Sequence, residues 1–147
     1  MNLSDLNILL ADDDPDDCLF FKEAVTSFIP ATNFSAVHDG DELMQRLGNE
    51  TGKLPDILFL DLNMPRKNGF ECLTEIKRNA KLKSLPVIIF STSSSDDSMN
   101  ILFKTGADVY IRKPSNFEQL VQVIQHALPM AYESIAAKVK LKYVLNA

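Results

Sequence analysis

A chain of 147 residues with 46% hydrophobic content can bury one sizeable core and is too short for two ordinary domains, so one main domain is expected. The net charge of -5 and sequence pI near 4.9 argue against direct nucleic-acid binding, because phosphate backbones attract clustered Lys and Arg. Cys18 and Cys72 stand far apart with no His at metal spacing, which argues against a disulfide framework or a zinc site and leaves both as small buried hydrophobes.

In chain order, Met1 to Asp5 lacks the basic run and apolar core of a signal peptide, and no apolar stretch approaches membrane-spanning length. A cytoplasmic protein without membrane contact is therefore expected. Leu6 to Ala11 reads as a buried strand that runs into Asp12-Asp13-Asp14-Pro15-Asp16-Asp17. Helix chemistry accounts for part of this acidic run. Asp14 is an N-cap ahead of Pro15 at the first helical position, and Asp16 and Asp17 favour the positive end of the helix dipole. Asp12 and Asp13 have no such explanation, and their mutual repulsion needs relief. With hard oxygen ligands and no His or Cys nearby, Mg²⁺ suits them, against the alternative of a solvated loop.

A helix from about Pro15 to Phe28 follows, with Leu19, Ala24, Val25 and Phe28 as core positions. Pro30 ends it. Asn33 to Val37 is a weaker strand closed by His38-Asp39-Gly40, where His38 is a turn residue. A short amphipathic helix then carries Leu43, Met44 and Leu47, and residues 49–53 form a loop. Ile57 to Leu60 is a strand buried on both faces, closed abruptly by Asp61. Arg66-Lys67-Asn68-Gly69 is turn chemistry, and Phe70, Leu73 and Ile76 begin a third helix. Pro86 to Phe90 is another apolar run, and it breaks into a hydroxyl cluster from Ser91 to Ser95. Ser94 or Ser95 can cap the next helix, which turns Ile101, Leu102 and Phe103 inward, whereas Ser91 stands directly at the strand end. Asp108 to Ile111 is a fifth strand ending in Arg112-Lys113-Pro114. Ser115 with Glu118 forms a capping-box pattern for a last helix bearing Phe117, Leu120, Val121, Ile124 and Leu128, with His126 exposed on it and Pro129 interrupting it. In the remaining stretch, residues 130–137 suit a helix and residues 138–143 alternate like a strand.

Five strand and helix units in alternation imply an α/β fold with a parallel sheet and helices on both faces. Right-handed crossovers bring the carboxyl ends of the strands to one edge, where open sheets of this class bind ligands. Asp12-Asp13, Asp61, Ser91 and Lys113 fall there together, a set suited to phosphoryl transfer. The Asp61 carboxylate can attack phosphorus, a divalent ion on Asp13 and Asp61 with Asp12 on the ion or its waters can screen the meeting of two anions, and Lys113 and Ser91 can meet phosphoryl oxygens.

The residues named so far carry a resemblance. Asp12-Asp13 after the first strand, Asp61-Leu62-Asn63-Met64-Pro65 followed by Gly69, Ser91 after the fourth strand and Lys113-Pro114 after the fifth make the chain similar to receiver domains of two-component response regulators, of the stand-alone, chemotaxis-regulator-like type. The resemblance spans residues 6 to about 128. It implies a doubly wound, flavodoxin-like sheet of strand order 2-1-3-4-5, with 1–128 as the receiver domain. Residues 129–147 are then an extension, expected to pack on the last helix or on a second copy of the chain because Ile135, Val139, Leu141 and Tyr143 would otherwise be exposed. The resemblance also implies that Asp61 accepts a phosphoryl group from a phosphohistidine on a sensor histidine kinase or histidine phosphotransfer protein. Asp12, Asp13, Asp61 and the backbone carbonyl of Asn63 would form the Mg²⁺ site, and Lys113 would contact the phosphoryl group, with a cis bond to Pro114. Ser91 and Tyr110 would form the switch, Tyr110 turning inward on phosphorylation so that the surface of the fourth helix, fifth strand and fifth helix signals to a downstream protein target.

Ser91 departs from the commoner Thr of the family. The residue pattern leaves room for two other readings. A haloacid-dehalogenase-like phosphatase also uses an Asp nucleophile, Mg²⁺ and Lys, but it needs an acid two residues after the nucleophile, where Asn63 stands. A degenerate receiver acting as a docking module would not need Asp13, Asp61, Ser91 and Lys113 intact. The expected activity is therefore that of a phosphoacceptor regulator and not of an enzyme acting on external substrates.

Overall fold

Four strands form where the apolar runs lie and are buried on both faces, whereas the strand at Asn33–Val37 is only partly covered. The computed structural model describes residues 5–49, 54–92, 96–137 and 143–145. In chain order the elements are β1 (Asn7–Ala11), α1 (Pro15–Phe28), β2 (Asn33–Val37), α2 (Gly40–Leu47), β3 (Ile57–Leu60), α3 (Gly69–Arg78), β4 (Val87–Ser91), α4 (Asp96–Thr105), β5 (Val109–Arg112), α5 (Phe117–Ala137) and β6 (Tyr143–Leu145). All pairings are parallel and the sheet order is β2-β1-β3-β4-β5-β6. The first five strands thus take the expected flavodoxin-like order 2-1-3-4-5, and β6 adds a sixth strand on the outer edge of β5.

Alternation along each strand divides the core in two. Leu10, Phe59, Ile88 and Ile111 face α1 and α5, where Phe21, Ala24, Leu120 and Ile124 meet them. Leu9, Leu58, Leu60 and Ile89 face the other side, against Leu43 of α2, Leu73 and Ile76 of α3 and Leu102 of α4. Phe21 sits at the centre of the first half, its ring 4.8 Å from Phe59 and 5.4 Å from Phe90 in edge-to-face contacts.

Several sequence expectations change here. Leu19 is 57% exposed, because α1 faces the sheet through Cys18, Phe21, Ala24 and Val25, one position off the stripe that would include it. Phe70 and Ile101 likewise face outward; α3 is anchored by Cys72, Leu73 and Ile76, and α4 by Met99 and Leu102. The cap of α5 is Asn116 and not Ser115: the Asn116 side chain accepts the amide of Gln119 at 2.9 Å, so the helix begins one residue later. Pro129 lies inside α5 and does not end it. Its ring nitrogen cannot donate to Gln125, but Ala127, Leu128 and Ala131 are buried around it, and that burial holds the helix through the defect. The helix reading for residues 130–137 holds. Of the alternating stretch at 138–143, residues 138–142 fall outside the described residues and Tyr143 opens β6. The capping assigned to Ser94 or Ser95 and most of the 49–53 loop also fall outside them.

Candidate functional site

Backbone pairing sets the strand ends side by side before any side chain is considered. The Asp12 amide donates to the Val37 carbonyl at 3.0 Å, the Asp61 amide to the Ala11 carbonyl at 2.9 Å and the Lys113 amide to the Ser91 carbonyl at 3.0 Å. Each residue is the first beyond its strand or, for Ser91, the last within it, and all four lie along one edge of the sheet. Gly69 completes the floor. It opens α3 where a Cβ would run into the Asp61 carbonyl and the Leu62 Cα, and its amide donates to the Leu62 carbonyl at 3.0 Å. Asn68 caps α3 in a reciprocal box with Glu71, a signal the sequence carries in Asn68-Gly69-Phe70-Glu71 and which the turn reading passed over.

The side chains then converge. Carboxylate oxygens of Asp12, Asp13 and Asp61 lie within 4.8 Å of one another. Asp12 is fully buried and Asp61 only 4% exposed, whereas Asp13 is open to solvent. The Asp12 carboxylate accepts the Asp14 amide at 3.0 Å, and that of Asp61 accepts the Asn63 amide at 3.3 Å. Lys113 closes the cluster, its Nζ donating to Asp12 at 2.7 Å, Asp17 at 3.1 Å and Asp61 at 3.4 Å. The same ammonium lies 5.5 Å from the centre of the Phe90 ring.

The electrostatics follow from this burial. Desolvation raises the pKa of Asp12 and of Asp61 above the ordinary 3.8, with the Lys113 ammonium pulling the other way and not prevailing. For Lys113 burial acts to lower the pKa, but its hydrogen bonds and attraction to Asp12 and Asp61, aided by Asp17, win and raise it. Four carboxylates, those of Asp12, Asp13, Asp17 and Asp61, around one ammonium leave the cluster anionic. A donor set of carboxylates alone, without imidazole or thiol, is the kind that hard divalent cations such as Mg²⁺ take.

Among the residues singled out from sequence, Asp12, Asp13, Asp61 and Lys113 meet at one point. Ser91 is fully buried at the end of β4, in register with Arg112. Tyr110 pairs with Ile89 on one side and Val144 on the other. Its ring lies inside the core at 1% exposure, in the apolar cluster with Ile89 of β4 and Leu102 of α4. The Tyr110 hydroxyl is buried with no hydrogen-bond partner among the described residues. Among the described residues no peptide bond is cis, which corrects the cis expectation for Lys113-Pro114. That bond takes the trans form that X-Pro bonds prefer intrinsically.

Two contributors were not legible beforehand. Asp17 has the sequence position of a dipole partner, yet it reaches Lys113 across 96 positions of sequence. Arg66 adopts φ of 67°, and the Lys67 amide donates back to the Pro65 carbonyl at 2.8 Å, making a three-residue turn just past Asp61. The Arg66 guanidinium stands 3.9 Å from Asp39, tying this loop to the one that follows β2.

The response regulator receiver domain family matches residues 8–125. Response regulator Rcp1 of Synechocystis sp. is 31% identical over 122 residues, covering 80% of this chain and 83% of the relative. The Escherichia coli transcriptional regulatory protein CpxR is 31% identical over 127 residues, 86% of this chain and 51% of its own, so the chain spans about half of that relative. Among solved structures, the Mn²⁺-bound form of Rcp1 superposes with a TM-score of 0.75 at 30% identity, covering 82% of this chain and 90% of that one. The phosphorylated cyanobacterial phytochrome response regulator RcpA gives 0.76 at 31%, covering 93% and 98%. With its sheet order, its clustered strand ends and these likenesses in agreement, the chain belongs to the response regulator receiver domain family.

Proposed function

We propose that this receiver domain is a Mg²⁺-dependent phosphoacceptor switch in which Asp61 takes a phosphoryl group from a phosphohistidine of a sensor histidine kinase or histidine phosphotransfer protein. The observation that carries the reading is the meeting of Asp12, Asp13 and Asp61 within 4.8 Å, with the Lys113 ammonium 3.4 Å from Asp61. An Asp61 carboxylate oxygen attacks phosphorus and a new O–P bond forms. The P–N bond to the donor imidazole breaks, and its electron pair returns to the ring nitrogen. Asp12, Asp13 and Asp61, with the Asn63 carbonyl, would hold the Mg²⁺, whose chemistry is to neutralise charge building on the phosphoryl oxygens. Lys113 keeps its donors on the oxygen edge of Asp61, where they can pass to a phosphoryl oxygen, and the Ser91 hydroxyl is assigned to another. The Mn²⁺-bound and phosphorylated states named for relatives support the same assignment here.

The output follows the same logic. Phosphorylation adds charge and acceptor oxygens beside Ser91, whose strand is in register with β5 and hence with Tyr110. The surface of α4, β5 and α5 is the proposed signalling face toward a downstream protein target. Residues 1–128 are assigned to the receiver unit and 129–147 to an extension, for which the seat of β6 on β5 supports packing against the chain's own sheet; a homodimer is the other arrangement. Asn63 in place of a general acid supports a regulator over a phosphatase.

Acetyl phosphate with Mg²⁺ tests the reading. One phosphoryl group should be added per chain by mass spectrometry, lost on treatment with hydroxylamine and absent in Asp61→Asn. Continuous turnover of a phosphomonoester, or equal labelling of the Asp61→Asn variant, would overturn it.

A further inference from the structure

The Lys113 ammonium has three protons, and the three carboxylates it meets are not equivalent. Asp12 and Asp61 belong to the trio whose oxygens converge, and Asp17 does not. Asp17 comes from the first turn of α1, where its amide donates to the Asp14 cap, and its side chain is 44% exposed. Lys113 is 14% exposed and backed by the Phe90 ring, so its charge cannot retreat into solvent without the whole side chain moving. A divalent cation drawing on Asp12 and Asp61 therefore meets a second cation already hydrogen-bonded to the same two carboxylates, and competes with it for their charge. With those two bonds weakened by the competing cation, a buried ammonium would be costly to keep in place. Among the described residues that Lys113 meets, Asp17 is the acceptor outside the trio.

We propose that Asp17 is a positioning residue that holds Lys113 beside Asp61 while Asp12 and Asp61 give their oxygens to a divalent cation. The inference rests on the Mg²⁺-site reading above and assigns Asp17 a role in it that a helix-dipole partner would not have. Asp16 supplies the internal comparison. It sits in the same helical turn with the same charge and is exposed, and the carboxylates that Lys113 meets do not include it. Loss of charge near the site is common to both residues; contact with Lys113 is specific to Asp17.

The experiment titrates the full chain with Mn²⁺ and reads the free ion by electron paramagnetic resonance. Asp17→Asn should weaken Mn²⁺ binding roughly three- to tenfold, the range expected when a partly exposed ion pair no longer offsets competition for the ligands, and Asp16→Asn about twofold or less. In a Lys113→Met background the Asp17→Asn effect should shrink to that of Asp16→Asn, which a merely structural or long-range charge role would not produce. Thermal unfolding of Asp17→Asn within a few degrees of the parent separates lost binding from lost folding. Equal effects of the two Asn substitutions, or an Asp17 effect that persists undiminished without Lys113, would overturn the inference while leaving the site reading intact. Failure of the parent chain to bind Mn²⁺ at all would overturn both.

Discussion

The interior of the sheet and its carboxyl edge are both buried, and they stabilise the protein in opposite ways. In β3, Ile57 to Leu60 are fully inaccessible and contribute through apolar burial. One residue later Asp61 is almost as buried, and its raised pKa records that desolvation acts against its charge. The same step separates Ala11 from Asp12. A single position along the strand thus turns burial from a source of stability into a cost, and the cost is spent where charge is useful.

The largest expected effect breaks the interior. Phe59 is fully buried with its ring on Phe21, and Phe59→Ala should destabilise by about 3–5 kcal/mol in urea unfolding, the range for truncating a core aromatic. A loss below about 1 kcal/mol would mean that Phe59 does not pack against Phe21 as described.

At the edge the sign should invert. Asp61→Asn should raise Tm by on the order of a few degrees at neutral pH while removing phosphorylation. The pH dependence follows from the direction of the shift. A carboxyl whose folded pKa lies above its unfolded value contributes stability in acid, and that contribution is lost as pH rises through the folded pKa. Parent and Asp61→Asn should therefore converge in stability below the ordinary value of 3.8 and separate above it. A variant less stable than the parent at neutral pH would show that Lys113 compensates the buried charge fully.

How much of this was open to the sequence depends on how local each cause is. Asp12, Asp61, Ser91 and Lys113 could be placed because each closes an apolar run, and parallel topology does the rest. Asp14 as the α1 cap was equally local. Asp17 was not, since its partner is fixed only by the assembled sheet. Leu19 and Ile101 misled because single apolar residues are common on helix surfaces. Pro129 misled because tertiary burial outweighs a helix break that sequence alone scores as an end. Arg66 lies in a stretch that reads as a turn, but residue type does not announce a positive φ at an arginine.

A smaller effect sharpens the comparison at its border. Tyr110 carries a polar atom into the apolar side, and its hydroxyl has no partner among the described residues. Tyr110→Phe should stabilise by about 1 kcal/mol, the desolvation no longer borne. Its ring would be retained, so a loss of stability would point to a hydrogen bond made by that hydroxyl.

The smallest effect concerns backbone and not charge. Arg66 occupies a left-handed conformation that costs a non-glycine residue about 1–3 kcal/mol. Its side chain is 71% exposed and its pairing with Asp39 at 3.9 Å is worth little in solvent, so truncation itself loses almost nothing. With the strain at the low end of that range, about 1 kcal/mol, Arg66→Gly relieves it but also loosens the unfolded chain by about 0.5–1 kcal/mol, leaving a net gain of at most about 0.5 kcal/mol. Arg66→Ala keeps the Cβ and hence the strain, so it should show no gain, and the difference between the two variants isolates the turn from the side chain. If Gly and Ala behave alike in thermal unfolding, the three-residue turn beside Asp61 is unstrained, and the excess cost at the edge of the sheet lies in its buried charges alone.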